Sequence, residues 1–393
     1  MLRVLFTFAG GSGHANPLVP IASAVEAAGH TVAFAGHHSG AAVLETHGFT
    51  VFTDPASATS TPPSITPLLE LDMNREYRGV RDGYAGRIAR ARATRILELS
   101  ADWRPDLIVC DEMDFGSMIA AERRGLPHVT VLVIAAGSFA HPAVIAEPLD
   151  ALRAEHGLPP DPAVVMPRRH LVLSPFPPSF RDPAYPLPST AYSLRSDMPG
   201  LSASDSAPWW LSHLPDGPTI YFTLGTVFNM ESGDLFARVL AGLRNLPITV
   251  IVTVGRDIDP ETFGPQPDNV HIERYIPQSV VLPHCDLVVA HGGSGSVIGA
   301  LAHGLPLVAI PMGADQSLNA GRCEQLGVGI ALDAVQATAQ SVREAVSTIL
   351  NDPRYRLSAG HIADEIAALP EPDTAAPLLE RLIGDEDAAA SLA

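Results

Sequence analysis

The stretch LVVAHGGSGSVIGALAHGLPLVAIPMGADQSLN, residues 287–319, is where the fold of this chain can be read. Leu287–Ala290 is a short run without a polar residue, the mark of a strand buried on both faces. Gly292, Gly293 and Gly295 then make a turn that no bulkier residue can follow. The helix expected next aims its first N–H groups back at that turn. This makes a phosphate site, with His291, Ser294 and Ser296 as side-chain donors. Residues 305–310 form the following strand and 311–316 the loop at its carboxyl end. In an open parallel sheet such loops share one edge, so Asp315 and Gln316 should face whatever hangs from the phosphates. A diphosphate beside a hydroxyl-rich group points to a nucleotide sugar.

These residues resemble the donor signature of the inverting GT-B glycosyltransferases, the UDP-glycosyltransferase and antibiotic (macrolide, polyketide) family of actinobacterial natural-product type. The signature is a small-residue turn after His, then Pro and a loop ending in Asp-Gln, then Asn-Ala. Here it stands as His291, Gly293, Ser296, Pro311, Asp315, Gln316, Asn319 and Ala320. One glycine-rich turn alone would say little; the ordered combination is specific.

Composition removes many alternatives. The 393 residues suit two domains of ordinary size, each able to bury a core. No run of eighteen apolar residues occurs, so a membrane span is not expected. The acidic net charge argues against attraction to anionic lipid, so stable membrane association is not expected either. The opening MLRVLFTFAGGSGHANP lacks a basic run and a cleavage site and reads as a first buried strand, not a signal peptide. Cys110, Cys285 and Cys323 are odd in number and far apart, as expected of reduced core thiols in a cytoplasmic protein. A net charge of −18 argues against nucleic-acid partners. All 25 basic residues are arginine, so a P-loop lysine or a Schiff-base lysine is impossible. Phosphates must be held by backbone N–H groups, hydroxyls, His or Arg.

Strand-like and helix-like segments alternate along the chain, which predicts doubly wound parallel sheets. Strands are expected at 3–9, 30–35, 107–110 and 128–134, and again at 219–224, 249–254, 270–273, 287–290 and 305–310. The fold class is therefore α/β, with two Rossmann-like domains. The GT-B resemblance implies that they face each other across a cleft. The expected boundaries are an acceptor-binding domain at 1–200, a linker at 201–217 within a Pro/Ser-rich span from about 174 to 218, and a donor-binding domain at 218–372. Residues 373–393 follow as a helix that the resemblance returns to the first domain, ending in a frayed tail. The arginine-rich segment 68–99 reads either as solvated helix faces or, by resemblance, as a lid over the acceptor.

His14 closes the turn after the first strand, at the sheet edge where clefts form. A neutral imidazole is suited to take a hydroxyl proton near pH 7. GSGHANP matches the N-terminal motif that carries the family's general base, so the resemblance assigns that role to His14. A lone His would otherwise be a helix cap. The base needs a carboxylate to orient it, and Asp111 matches the dyad position, although Glu112 and Asp114 stand close by. The same acidic cluster could instead cap the following helix. In the second domain TLGT, residues 223–226, resembles the family's phosphate loop, with Gly225 allowing close approach and Thr226 donating. YIPQ, residues 275–278, resembles the family's Trp-x-Pro-Gln. It implies that Tyr275 stacks on the base, that the Ile276 backbone pairs with the base edge, and that Gln278 belongs to the same site.

Two patterns are set aside. Asp257-Ile258-Asp259 has the metal-holding spacing of the other large glycosyltransferase fold, but reads as a loop pair before Pro260. GGSGHAN half-resembles a dinucleotide fingerprint, yet Asn16 replaces the third glycine and no acid ends the next strand.

The resemblance implies inverting, metal-independent transfer of a hexosyl group, by preference a deoxysugar. The donor is a dTDP- or UDP-sugar and the acceptor a hydroxyl of a hydrophobic aglycone such as a polyketide. The nucleotide sugar is a co-substrate and no cofactor is expected; a homodimer is left open. Rival readings are C-linked transfer to an aromatic polyketide, a cell-wall GlcNAc transferase with a lipid-linked acceptor, and a degenerate auxiliary partner of another transferase.

Overall fold

The computed structural model describes residues 1–54, 64–195 and 207–384. The expected linker 201–217 lies partly, and the tail 385–393 wholly, outside the described residues. Residues 55–63 of the acceptor-side loop also fall outside. Described residues divide into two compact units, the first from 1–54, 74–195 and 368–384 and the second from 64–73 and 207–367.

The first unit is built on seven parallel strands: β1 (Arg3–Phe8), β2 (Thr31–Gly36), β3 (Thr50–Thr53), β4 (Leu107–Asp111), β5 (His128–Val131), β6 (Val172–Ser174) and β7 (Ala191–Ser193). Their order is β3-β2-β1-β4-β5-β6-β7. All residues of β4 and β5 are buried, and five of the six in β1, as expected of a parallel sheet covered on both faces. Winding reverses between β1 and β4, where Thr7 pairs with Cys110. In doubly wound sheets the ligand crevice opens outside the carboxyl ends of the strands at such a reversal. The helix Ala375–Gly384 buries Ala375, Ala376 and Leu379 in the same core as Val4, Phe6 and Leu18, and Glu380 meets His30 at 3.1 Å.

The second unit repeats the plan with six parallel strands: β8 (Thr219–Thr223), β9 (Thr249–Thr253), β10 (Val270–Glu273), β11 (Leu287–Ala290), β12 (Leu307–Ala309) and β13 (Gly329–Ala331). Their order is β10-β9-β8-β11-β12-β13, so winding reverses between β8 and β11, with Thr223 beside Ala290. The helix Leu235–Leu243 turns Leu235, Phe236, Val239, Leu240 and Leu243 inward, the spacing of one helical face. These side chains join Val342, Val346 and Ile349 of the helix Ala339–Asn351 in one core. Fully burying each such side chain contributes about 1.5–3 kcal/mol. Residues 64–73 belong to this unit by packing as well: Thr66 exchanges backbone hydrogen bonds with Met230 and Gly233.

The Pro/Ser-rich span from about 174 begins inside the first sheet, with β7 at its edge. Three-residue strands flanked by Pro carry too little apolar pattern to be seen in sequence. Arg92, within the arginine-rich segment, is not solvated. It is 3% exposed and joins Asp54 (3.1 Å) and Asp114 (2.7 Å) while donating to the Ala35 carbonyl. Arg81 and Arg90 fit the surface reading, pairing with Glu147 and Glu155. All three cysteines are free and buried, and burial pushes the Cys285 and Cys323 thiols up to about 12. Among the described residues no helix is long and apolar enough to cross a membrane.

Candidate active site

Each reversal in strand order carries one group of the sequence-predicted residues. In the first unit the turn after β1 leads into the short helix Ser12–Ala15, which presents His14. Its Nδ1 lies 3.3 Å from Oδ1 of Asp111, the last residue of β4. Gly10 is required for this approach, since a Cβ there would stand 2.2 Å from the imidazole Cδ2. Asp111 is wholly buried, and both its oxygens accept backbone hydrogen bonds: Oδ2 from Ala9 N–H at 2.7 Å and Oδ1 from Met113 N–H at 2.6 Å. A carboxylate oxygen beside Nδ1 favours the tautomer that carries its hydrogen there and leaves Nε2 as the acceptor. That is the form a general base needs.

The acidic trio divides its work. Asp111 faces His14. Glu112 accepts from the Val133 and Ile134 N–H groups beyond β5, and burial pushes its carboxyl up to about 7. Asp114 caps the helix Phe115–Arg124 by accepting from Ser117 N–H at 3.2 Å, and the Arg92 guanidinium outweighs burial to hold it below the usual carboxylate range. Proximity to His14 and the helix cap thus fall to different residues of the trio.

In the second unit β8 and β11 end side by side, and their turns clasp His291. The ring is buried between two glycines: a Cβ on Gly293 would stand 2.4 Å from Nε2, and one on Gly225 2.7 Å from Cε1. Gly225 also takes φ +77°, a conformation that favours glycine. Burial pulls the His291 imidazole down to about 4, opposed by a hydrogen bond to the Thr223 backbone carbonyl. His291 is therefore neutral at pH 7. Its Nδ1 has no partner among the described residues.

The helix Ser294–Ala302 starts at Gly293 without a side-chain cap, and Gly295 in its first turn is exposed. Ser294 Oγ donates to Asp315 Oδ2 at 2.7 Å, and Asn319 Nδ2 bonds the same oxygen at 2.8 Å and the Gly292 carbonyl at 3.0 Å. Ser296 Oγ accepts from Gln278 Nε2 at 3.1 Å. Gln316 differs from the expectation that it faces the ligand. It is 2% exposed, and its carbonyl oxygen accepts from Met312 and Gly313 N–H, tying the loop after β12 to the helix Gln316–Gln325. Two adjacent backbone N–H groups in a buried loop needed partners, and the glutamine oxygen serves both. Ile276 is buried and Thr226 exposed. Tyr275 is 46% exposed, with the Arg256 guanidinium 4.9 Å over its ring. Asp259, one of the set-aside pair, caps the turn Pro260–Phe263 and meets Arg274 at 3.0 Å.

One residue beside His14 belongs to none of the sequence motifs. Tyr84 Oη lies 3.3 Å from His14 Nε2, with the rings stacked at 5.6 Å.

Comparison with known proteins gives this geometry a family. Residues 237–382 match the model of the erythromycin biosynthesis protein CIII-like C-terminal domain. The L-demethylnoviosyl transferase of Streptomyces niveus is 30% identical over 379 residues, covering 94% of this chain and 96% of that one. The chain belongs to the antibiotic glycosyltransferase family. Another member, the 4'-demethylrebeccamycin synthase of Lentzea aerocolonigenes, is 29% identical over 448 residues, covering 97% and 99%. Among solved structures, the glycosyltransferase VinC in complex with dTDP superposes with a TM-score of 0.75 at 22% identity, covering 98% of this chain and 100% of that one. That likeness shows the GT-B fold of this antibiotic glycosyltransferase.

Proposed function

We propose that this glycosyltransferase moves a deoxyhexosyl group from a dTDP-sugar to a hydroxyl of a hydrophobic, polyketide-type aglycone, inverting the anomeric centre. The observation that carries the reading is the His14–Asp111 pair at the strand-order reversal of the first sheet. His14 Nε2 takes the hydroxyl proton while Asp111 steadies the imidazolium that results. The acceptor oxygen attacks the anomeric carbon as the bond to the diphosphate breaks, and the electron pair leaves with the diphosphate. Helix N–H groups after Gly293, with Ser296 and the Thr226 hydroxyl, meet the charge that develops there. This route draws on no metal ion and no cofactor beyond the donor. Asp315, held by Ser294 and Asn319, is assigned to the sugar hydroxyls, with the Gln316 side chain fixing the loop beneath it. Tyr275 is assigned to the base. The dTDP preference is supported by the dTDP-bound glycosyltransferase of the same fold. A natural-product acceptor is supported by the names of the relatives.

The test is to incubate the protein with dTDP- and UDP-sugars and a panel of aglycones and follow product mass and dTDP or UDP release. Product formation lost in His14→Ala supports the reading. Failure of every donor to bind or turn over refutes it.

A further inference from the structure

The base of the proposed reaction is already engaged. Tyr84 Oη stands 3.3 Å from His14 Nε2, the atom that must receive the acceptor's proton, and the two rings lie nearly parallel at 18°. With the imidazole hydrogen on Nδ1, facing Asp111, the phenol is the donor and Nε2 the acceptor. A second observation concerns the element that carries Tyr84. Gly79–Ile88 forms π-helical turns between the α-helices Met73–Arg78 and Ala89–Trp103. Such turns are uncommon and concentrate at functional sites. This stretch buries only Val80 and Ala85, and open space surrounds the Cβ positions of Gly79 and Gly83. With few of its side chains buried, relaxing a π turn toward α geometry would rotate Tyr84 at little cost in core packing.

We propose that Tyr84 is a positioning residue that stoppers the base until an acceptor arrives. The inference rests on His14 acting as the base in glycosyl transfer. Without an aglycone, a bound donor faces water, and hydrolysis follows the same balance as transfer. Water oxygen bonds to the anomeric carbon, the bond to the diphosphate breaks with its electron pair, and the water proton goes to His14 Nε2. A phenol donating to Nε2 holds that lone pair and excludes the water. An acceptor hydroxyl displaces the phenol because it brings with it the apolar area of its aglycone, which water lacks. Tyr84 thereby selects against water as acceptor.

The experiment compares wild type, Tyr84→Phe and His14→Ala, using dTDP-glucose and UDP-glucose as donors with and without the aglycone panel. Phe keeps the ring against the imidazole and removes the hydroxyl. Tyr84→Phe should hydrolyse donor about fivefold faster than wild type without aglycone, the effect of removing one hydrogen bond. Its acceptor KM should fall as well, since the acceptor no longer has to displace the phenol. Equal hydrolysis rates overturn the proposal. So does a proportional loss of hydrolysis and transfer, which is what a merely supporting ring would give. If wild type turns over no donor at all, the transferase reading fails, and the 15N resonance of His14 Nε2, assigned with His14→Ala, decides the stopper by itself. Its movement toward the unbonded position in Tyr84→Phe supports the proposal, and an unchanged resonance overturns it.

Discussion

Asp111→Asn changes one oxygen to an amide in a site with no room for it. In the native protein Oδ2 accepts from Ala9 N–H and Oδ1 from Met113 N–H, both inside 2.8 Å, and the side chain is wholly buried. Asn has one carbonyl oxygen, so its NH₂ group must point at one of these two N–H donors. A hydrogen bond to a charged acceptor is worth about 1.5–3 kcal/mol, and a buried donor left unpaired costs about 1–3 kcal/mol more. Relief from burying a charge offsets part of this, leaving a loss of about 3 kcal/mol. Urea unfolding should show a lower midpoint with an unchanged slope. Separately, His14 loses the group that fixes its tautomer and stabilises its charged form, and kcat/KM should fall by about a thousandfold. The two effects can be taken apart. In a His14→Ala background, Asp111→Asn should still cost about 3 kcal/mol of stability, because Ala9 and Met113 are unchanged, while its effect on the residual rate should disappear. If the stability loss vanishes with His14, the two backbone N–H groups are not what Asp111 holds. If Asp111→Asn retains the native rate, the dyad itself is refuted.

Further expectations follow from the same geometry. Gly293→Ala and Gly225→Ala each drive a methyl into the His291 ring and should weaken dTDP binding by about tenfold or more, as expected when a packed ring must shift. Gly321→Ala, with open space around it, should bind dTDP like wild type in the same calorimetric titration. Burial holds His128 down to about 3 and His291 to about 4, so the unfolded chain takes up protons that the folded chain refuses. Stability present above pH 6.5 is then lost as pH falls toward those values, by about 1.4 kcal/mol per unit for each group. His128→Gln, which can still donate to Met166 O, should flatten the slope of stability against pH below 6.5, with a difference near pH 5 of about 2 kcal/mol. Parallel pH curves for the two proteins would reject this cause. Arg92→Met leaves Asp54 and Asp114 facing each other without a cation and should cost about 3–5 kcal/mol in denaturant unfolding. Adding Asp114→Asn should recover part of that loss.

Most of the architecture was legible because parallel strands announce themselves. The runs at β1, β4, β8, β9 and β11 are largely apolar without alternation; a glycine stands two residues past β1, β8, β9 and β11, and β4 ends in an acid. Both turns at the strand-order reversals were picked out by residue type alone, His14 after one and His291 after the other. Short edge strands were not visible, since three residues between prolines carry no period. Tyr84 was missed because it lies in an arginine-rich helical stretch where neither spacing nor composition sets one tyrosine apart from Tyr77. Nothing in the sequence sets Arg92 apart from the other arginines of its segment, and only the packing of Asp54 and Asp114 around it removes it from water.

The sequence by itself determined which chemistry was available: no lysine, a histidine at each of two glycine-rich turns, an acidic trio after a buried strand, and helix N–H groups for a phosphate. Tertiary structure decided how those groups were used. Asp111, Glu112 and Asp114 are nearly adjacent in the chain, yet only Asp111 faces His14, because Asp111 is the last residue of β4 and β4 pairs with β1. Glu112 and Asp114, past the strand end, turn to the backbone beyond β5 and to Arg92 instead. Likewise Asp315 and Gln316 are neighbours in one motif, but the unpaired N–H groups of Met312 and Gly313 claim the glutamine oxygen. Successive residues beyond a strand point in different directions, and which direction meets a partner depends on strands and loops far away in sequence.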